Sequence, residues 1–508
     1  MLTPVTRLVL FLILSAALIV PFGKGLLRAY IEQADPDIVF AYQALQLNDG
    51  DSRINAEHTG YAYFLILAFV LRLAAALGFI DIARLSPLQI LSPAEFDAAY
   101  TGVIVVGRTL SITLSILLVL VMFTAARVVT RTTIGGLIAA ALTAISWGTA
   151  TQSILLRTEI LSAIFVMCAL KATVLAARAT DSQNILWMIA AGLSAALAVA
   201  TKLQTIVPLL AVAALAVALG ERPQPYAGAL SPTERKYLVG LWSAIASTAA
   251  LAAAVMLVSG MVERGSTGLY QSVIVLYLVS CLLIFGVVYR PSLLRFVAGF
   301  SALLFGFSVG VLLHLLYPNP PATDAIGAFV EHMKVYTPAA GEEAPAPYQA
   351  LFSLAIRSAN ATFQSHFGRI AFARNPSRVV EFLIIGAIIS NTFLGNRREA
   401  FLSALFLATS YTVEIWSRLR GLPLHYLVYI DTWVALAGAT AASPILLRLC
   451  RSWLGGAVAT AAFLVLAFAQ ISAALSPHFI AVQERANACY QAQTYMPLLA
   501  AQFQKFCP

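Results

Sequence analysis

The sequence predicts an all-α polytopic membrane protein, and both its composition and its pattern lead to this fold class. Hydrophobic residues make up 60% of the 508 residues and charged residues only 11%, whereas a soluble globular domain carries about 25% charged residues. The apolar runs are long, rich in Leu, Ala and Val, and lack the alternation of barrel strands. Because backbone groups in lipid are satisfied only in helices or closed barrels, these runs predict transmembrane helices.

A helical span needs about 20 apolar residues, and on this basis the chain holds about 13 spans. Residues 1–474 form the predicted transmembrane bundle, and residues 475–508 form a short outer tail. Val20-Pro21-Phe22-Gly23 lacks a clear small-residue cleavage site, so the first span is expected to be retained rather than removed as a signal peptide. The expected spans are 8–22, 101–126, 134–147, 160–177, 185–200, 206–219, 237–258, 269–288, 296–316, 379–393, 401–416, 426–442 and 454–474.

Two long polar segments, residues 23–99 and 317–378, are predicted to be outer loops. The first contains an apolar helix at residues 61–80, which Arg72 interrupts. We expect this helix to lie on the membrane surface as an amphipathic helix. If it crossed the membrane instead, every later loop would change sides and the charge distribution described next would no longer be sorted.

The distribution of charge predicts the orientation, because Lys and Arg in short loops mark the cytoplasmic side. With the N-terminus inside, the inner loops hold an excess of basic residues such as Arg397 and Arg398. Most acidic residues and all six histidines then fall on the outer side. The net charge of +9 is therefore a topology signal and excludes a nucleic-acid footprint.

Two cysteines, Cys489 and Cys507, lie in the outer tail. An outer pair in an oxidising compartment is typical of a disulfide, and such a bond would stabilise the tail by about 3 kcal/mol. Two free thiols are the alternative.

Carboxylates that follow the first span are the leading site candidates. Asp35 precedes a proline, which favours an extended backbone, and in an extended chain Asp35 and Asp37 would face the same side. Two such carboxylates suit a general base or a divalent cation, Mg or Mn. Alternatively, Asp37 caps a helix that begins at Ile38. Residues 48–51, Asn-Asp-Gly-Asp, fit either a cation loop or a simple turn.

Further ionisable residues lie at the outer ends of spans, where their burial is costly and function is the default hypothesis. Any one of them taken alone is better explained as a snorkelling or paired surface charge. The signal is their convergence on one face, and motifs of soluble enzymes such as GxxxxGK[ST], HExxH, GxSxG and CxxC do not occur. The candidates are Glu57, His58, Arg157, Glu159, Lys202, His332, His366, Arg369, Arg374, Arg418, Arg420 and His425.

Several short motifs follow one another along the chain. In the first outer loop they are Asp35-Pro36-Asp37, Phe40-Ala41-Tyr42-Gln43-Ala44-Leu45, Asn48-Asp49-Gly50 and His58-Thr59-Gly60-Tyr61. Later motifs are Gly107-Arg108-Thr109-Leu110-Ser111, Arg157-Thr158-Glu159, Ala200-Thr201-Lys202-Leu203-Gln204 and Arg420-Gly421-Leu422-Pro423-Leu424-His425-Tyr426-Leu427. This series resembles the GT-C superfamily of membrane glycosyltransferases, which includes the protein O-mannosyltransferases and the lipid A aminoarabinose transferase. Thr59 stands where the His-Pro-Gly-like turn of that family has proline.

The resemblance implies an enzyme of the bacterial inner membrane that moves a sugar from a polyprenyl-phosphate donor to a hydroxyl acceptor at the periplasmic face. A first-loop aspartate would act as the base, with or without a divalent cation, since family members differ. The sequence Asp35-Pro36-Asp37 departs from the Asp-Glu pair of the family. It therefore leaves open whether Asp35 or Asp37 would be the base. The resemblance assigns the donor phosphate to Lys202, Arg420, His425 and Arg157, and substrate contacts to Tyr42, His58 and Glu159.

Two other classes remain open from the sequence. An O-antigen ligase or polymerase would place its key Arg and His in a late outer loop and would not need first-loop acids. A transporter or flippase would show an inverted repeat and ionisable residues at mid-membrane, neither of which is clear in the sequence.

Overall fold

The computed structural model describes residues 3–50, 60–179, 181–202, 205, 207–212, 293–312, 356, 377–419, 427–449, 452–475 and 485–507. Within these ranges the chain is α-helical and contains no strand. The helices, numbered in chain order, are α1 (Pro4–Val20), α2 (Ala34–Asn48), α3 (Tyr61–Ala76), α4 (Pro93–Thr130), α5 (Thr133–Ala144), α6 (Trp147–Ser153), α7 (Glu159–Arg178), α8 (Asp181–Thr201), α9 (Leu293–Leu312), α10 (Ser377–Phe393), α11 (Arg397–Leu419), α12 (Leu427–Leu449), α13 (Trp453–Ala474), α14 (Arg485–Tyr495) and α15 (Ala500–Phe503).

Short turns of tighter or wider helix join several of these elements. A π-helical turn, Pro21–Gly25, continues α1, and 3-10 turns lie at Tyr30–Gln33, Ser86–Ile90, Pro497–Leu499 and Gln504–Phe506.

The all-α membrane fold is confirmed. The described residues include five helices that are long and apolar enough to cross a membrane, or six if the bent pair of α5 and α6 forms one span. The spans expected at 237–258 and 269–288 lie outside the described residues, as do most of 206–219 and the second polar segment. The total of about 13 spans therefore stays a prediction.

Local sequence signals explain where α4 and α5 begin. Ser92 caps α4, Pro93 occupies its first turn, and the Glu95 carboxylate accepts the Ser92 N–H at 3.0 Å in a capping box. α4 runs for 38 residues, longer than the expected span at 101–126, and ends at Arg131 in the left-handed conformation. Thr132 then caps α5.

The span expected at 134–147 corresponds to α5, and the chain that follows forms the separate short helix α6. α5 and α6 are separate helices that meet at an angle of 56°, and the side chain of Ser146 caps the second of them.

α3 packs through one face only. Tyr63, Phe64 and Leu67 are fully buried on that face, whereas Phe69 and Leu73 on the other side are exposed. Its 16 residues extend about 24 Å, which is shorter than the roughly 30 Å hydrocarbon core. These dimensions are compatible with the surface helix that the sequence predicts.

The prediction of an extended Asp35-Pro36-Asp37 segment is wrong. These residues form the first turn of α2, which begins at Ala34. Proline is tolerated there because the N–H groups of the first turn have no partner within the helix. The shared orientation of Asp35 and Asp37, which was inferred from an extended backbone, therefore loses its basis. The alternative, in which Asp37 caps a helix that begins at Ile38, is also wrong, because α2 begins at Ala34 and Asp37 lies within it.

The tail packs on the first polar segment. The Phe503 ring is buried against Tyr30, Phe96 and Tyr100, with ring centroids 5.5–6.2 Å apart. Lys505 pairs with Asp97 at 2.5 Å. The Cys489–Cys507 disulfide closes this region, with Cα atoms 5.0 Å apart, and so joins the two cysteines singled out in the sequence.

Candidate active site

Asp37 lies at the centre of a buried polar cluster. Its side chain is fully buried, and its Oδ2 accepts from Arg108 Nη2 at 2.5 Å and from Arg108 Nε at 3.1 Å. Oδ1 accepts the backbone N–H of Leu156 at 2.9 Å. The carboxylate of α2 is thus held by α4 and by the segment that precedes α7.

Arg108 also fastens the end of the first span. Its Nη1 donates to the carbonyl oxygens of Gly25 at 3.1 Å and Leu26 at 3.4 Å, and to that of Arg28. A single buried guanidinium therefore orders both the start of the first polar segment and the Asp37 carboxylate.

Residues 154–157 pack closely against two glycines, Gly25 and Gly107. A side chain at Gly107 would lie 2.6 Å from a Leu156 methyl carbon, and one at Gly25 would lie 2.2 Å from Ile154 Cγ2. Ser111 donates to the Leu155 carbonyl oxygen at 2.7 Å. The absence of side chains at the two glycines lets this segment approach α4 closely enough for Leu156 to reach Asp37.

Glu159, at the start of α7, pairs with two cations, Lys202 and Arg157. Its Oε1 lies 3.1 Å from Lys202 Nζ and 3.9 Å from Arg157 Nη1, and its side chain is 1% exposed. The Arg157 and Lys202 side chains are 10% and 13% exposed, so the positive end of the cluster is the part that is open to the surroundings.

Tyr63 of α3 lies between the two acids. It is fully buried and within electrostatic reach of both Asp37 and Glu159. Arg157 is likewise within electrostatic reach of Asp37. The two acid–base groups therefore form one cluster.

Opposing effects set the protonation of Asp37. Burial raises the pKa of the Asp37 carboxyl, while the Arg108 guanidinium and the Leu156 N–H oppose that rise. Perturbed pKa values of this kind are common at functional sites.

The structure brings together four of the predicted site residues, Asp37, Arg157, Glu159 and Lys202. Tyr42 is buried on α2, near Tyr100. Asp35 lies in the first turn of α2, and its side chain is outside the description. His58, Arg420 and His425 lie outside the described residues.

Arg108 and Tyr63 were missed by the sequence reasoning as site residues. A signal for Arg108 did exist, because an arginine within an apolar span is a functional candidate by default. Tyr63 had no comparable signal, since an aromatic residue on an apolar helix usually belongs to the core.

A divalent cation does not fit the described acids. Both Asp37 oxygens are engaged by Arg108 and Leu156, and Glu159 is paired with Lys202. Within the described ranges, no group of three or more His, Cys, Asp or Glu residues could hold a metal ion. Asp49 accepts the Ser86 N–H and hydroxyl at 2.7 Å, and Gly50 has φ +80°, which favours the turn at residues 48–51.

Part of the chain, which includes much of this cluster, matches a known protein family. Residues 86–222 match the family model of dolichyl-phosphate-mannose-protein mannosyltransferases. No curated protein matches the chain significantly. The matched family belongs to the GT-C class and uses lipid-phosphate-sugar donors, so the match supports a GT-C membrane glycosyltransferase. The matched range contains Arg108, residues 154–159 and Lys202, whereas Asp37 precedes it.

Proposed function

We propose that the protein transfers a sugar from a polyprenyl-phosphate donor to a hydroxyl acceptor at the periplasmic face of a bacterial inner membrane, with its N-terminus in the cytoplasm and its tail in the periplasm. The observation that carries this proposal is that Asp37 accepts the N–H of Leu156, the residue before Arg157, while Arg157 and Lys202 both pair with Glu159. The matched family makes mannose the first sugar to test. The acceptor is a glycan, a lipid or a protein.

In this reaction Asp37 is the general base. The acceptor oxygen bonds to the anomeric carbon of the sugar, the bond from that carbon to the phosphate oxygen breaks, and the acceptor proton passes to the carboxylate. Polyprenyl phosphate leaves with the bonding electrons. Because Asp37 is fully buried, the acceptor must enter a site that excludes water, which protects the donor from hydrolysis.

Arg157 and Lys202 stabilise the negative charge that develops on the leaving phosphate. Groups placed in advance at the site of developing charge commonly lower a barrier by several kcal/mol, and the partial exposure of both cations supports their access to the donor. Glu159 holds the two cations at one place. Arg420 and His425 are proposed to reach the same phosphate, and His58 and Tyr42 to contact substrate.

We assign the base to Asp37 because its carboxylate accepts the N–H of Leu156, the residue before Arg157. A base beside the cation that holds the donor phosphate lies near the bond being broken. Asp35, whose side chain is outside the description, is tested separately.

The test uses the full chain in lipid nanodiscs, polyprenyl-phosphate mannose with labelled mannose, and a membrane fraction as the source of acceptors. We expect labelled product from the native protein. Asp37→Asn should lower the rate by about 100-fold or more, and Lys202→Met should lower it strongly. Lys505→Met, which removes an exposed cation of the tail, is the matched control and should retain the native rate.

Three outcomes would contradict the proposal. Full activity in both Asp35→Asn and Asp37→Asn would favour a ligase or polymerase mechanism. Solute flux without a covalent product would indicate a transporter. Absence of product with every polyprenyl-phosphate sugar tested would remove the donor assignment.

A further inference from the structure

Asp431 of α12 is a buried acid that the proposed reaction does not use. Its side chain is 7% exposed, and its Oδ2 accepts the backbone N–H of Gly148 at 2.7 Å. Gly148 is the second residue of α6. A carboxylate from late in the chain therefore holds the start of a short helix from the first half.

The contact between α6 and α12 is tight. A side chain at Gly148 would lie 2.4 Å from the Val428 backbone nitrogen and 2.6 Å from the Leu427 carbonyl carbon. The Ser146 hydroxyl accepts the Thr149 N–H at 3.2 Å. These contacts fix the beginning of α6 on α12 with little room for adjustment.

α6 leads directly to the proposed site. The helix ends at Ser153, and three residues later Leu156 donates its N–H to Asp37. Arg157 and Glu159 follow in the chain. The 7 residues of α6 span about 10 Å, and a single short helix transmits a shift at one end to the other.

We propose that Asp431 is a positioning residue of the transferase, which acts through α6 to place the Leu156 N–H on Asp37 and the Arg157 side chain beside it. The inference rests on the proposed function and adds a residue from the second half of the chain, outside the family match. In this role Asp431 acts on the rate through its hydrogen bond to the start of α6.

The pH profile separates positioning from general packing. The Leu156 N–H lowers the pKa of Asp37, so weakening that hydrogen bond raises the pKa and moves the acid limb of activity to higher pH. Charged and titratable groups that face Asp37 are Arg108 and Tyr100 of α4, Tyr63 of α3, and Arg157. Loss of packing alone would lower activity at every pH without moving the limb.

The experiment compares Asp431→Asn and Asp431→Ala with the native chain in nanodiscs, with labelled polyprenyl-phosphate mannose as the probe. The amide oxygen of Asn still accepts the Gly148 N–H, though more weakly than a carboxylate. We expect kcat/KM to fall severalfold in Asp431→Asn and at least tenfold in Asp431→Ala, with the acid limb raised in both. Thr440→Val is the matched control, since Thr440 is buried on α12 and donates to its own helix at 2.8 Å.

An unmoved acid limb in both Asp431 variants, or native rates in both, would overturn the inference. Should Asp431→Ala fail to fold, the acid limb of the pH profile of Asp431→Asn alone decides the question. If the native chain shows no transfer at all, the proposed function fails first, and the two failures are thereby distinguished.

Discussion

Arg108 is the residue on which the geometry of the cluster depends most directly. It is fully buried, pairs with Asp37 and donates to backbone carbonyls of the first polar segment. The removal of one partner from a buried ion pair leaves the other charge unpaired, which commonly costs 3–5 kcal/mol. Arg108 therefore has both a structural role and a role in orienting the proposed base.

Arg108→Met should lower the stability of the protein by about 3–5 kcal/mol and abolish transfer. Asp37→Leu combined with Arg108→Met should recover part of that stability, because no buried charge remains unpaired, but should recover no activity. Thermal unfolding in detergent and the transfer assay measure the two effects.

The surface pair of Lys505 and Asp97 provides the control for this prediction. Its side chains are 31% and 44% exposed, and exposed ion pairs contribute about 0–1 kcal/mol. Lys505→Met should therefore unfold almost as the native chain does. A double variant less stable than Arg108→Met would contradict the idea that the unpaired Asp37 charge is the main cost.

Sequence reasoning at this scale found the acids and bases but not their pairing. Lys202 and Glu159 were recognised from their positions at span ends, yet the 3.1 Å contact between them depends on how α7 and α8 pack. Neither local propensity nor hydropathy encodes such packing, so the division of Asp37 and Glu159 between different cations could not be predicted.

Among the elements, α6 depends on a position that tolerates no side chain. A methyl group on Gly148 would meet backbone atoms of α12 at 2.4–2.6 Å, and backbone atoms cannot move aside as a side chain can. Gly386 of α10 offers the opposite case, since nothing lies within 4 Å of a side chain placed there.

Gly148→Ala should lower the unfolding temperature and reduce transfer at least tenfold, because α6 must shift away from α12. Gly386→Ala should leave transfer unchanged and slightly stabilise the protein, as alanine is favoured over glycine within helices by about 0.5–1 kcal/mol. Unfolding temperature and transfer rate of the two variants give the comparison. Equal behaviour of the two would show that the close approach at Gly148 is not needed.

The elements show where hydropathy suffices and where it does not. The spans expected at 160–177 and 454–474 agree with α7 and α13 within a few residues, because a long apolar run has few alternatives in lipid. The short helix α6 was not predicted after the expected span at 134–147, since its start is held by the contact of Asp431 with Gly148, which joins residues 283 positions apart. The helical start of α2 was missed because the rule for residues before proline does not apply strictly within a first turn.

At the scale of the whole molecule, the disulfide ties the tail into one unit that covers the first polar segment. The Cys489–Cys507 bond joins α14 to the turn after α15, while α15 carries Phe503, buried against Tyr30 and Tyr100. Charge sorting and composition were enough to place the tail on the outer side as a prediction. Charge and composition could not predict that the tail packs on the first polar segment, because that contact depends on how the aromatic rings fit together.

Reduction of the disulfide should lower the stability of the protein by about 3 kcal/mol, the value typical of a loop of this length. Thermal unfolding of the native chain should therefore shift downward with a reductant. The double variant Cys489→Ser, Cys507→Ser should unfold at the same lowered temperature whether or not the reductant is present. Cys168→Ser, which removes a free thiol of α7, should respond to the reductant like the native chain.

An unchanged unfolding temperature on reduction would show that ring packing, rather than the covalent bond, fixes the tail.

The contact of Lys505 with Asp97 joins residues 408 positions apart, and this separation has a consequence for biogenesis. During synthesis the ribosome releases residues 23–99 long before residues 485–507 exist. The rings of Phe96 and Tyr100 therefore lack their Phe503 neighbour until synthesis is complete. Final packing of the first polar segment is for this reason a late step in the maturation of the protein.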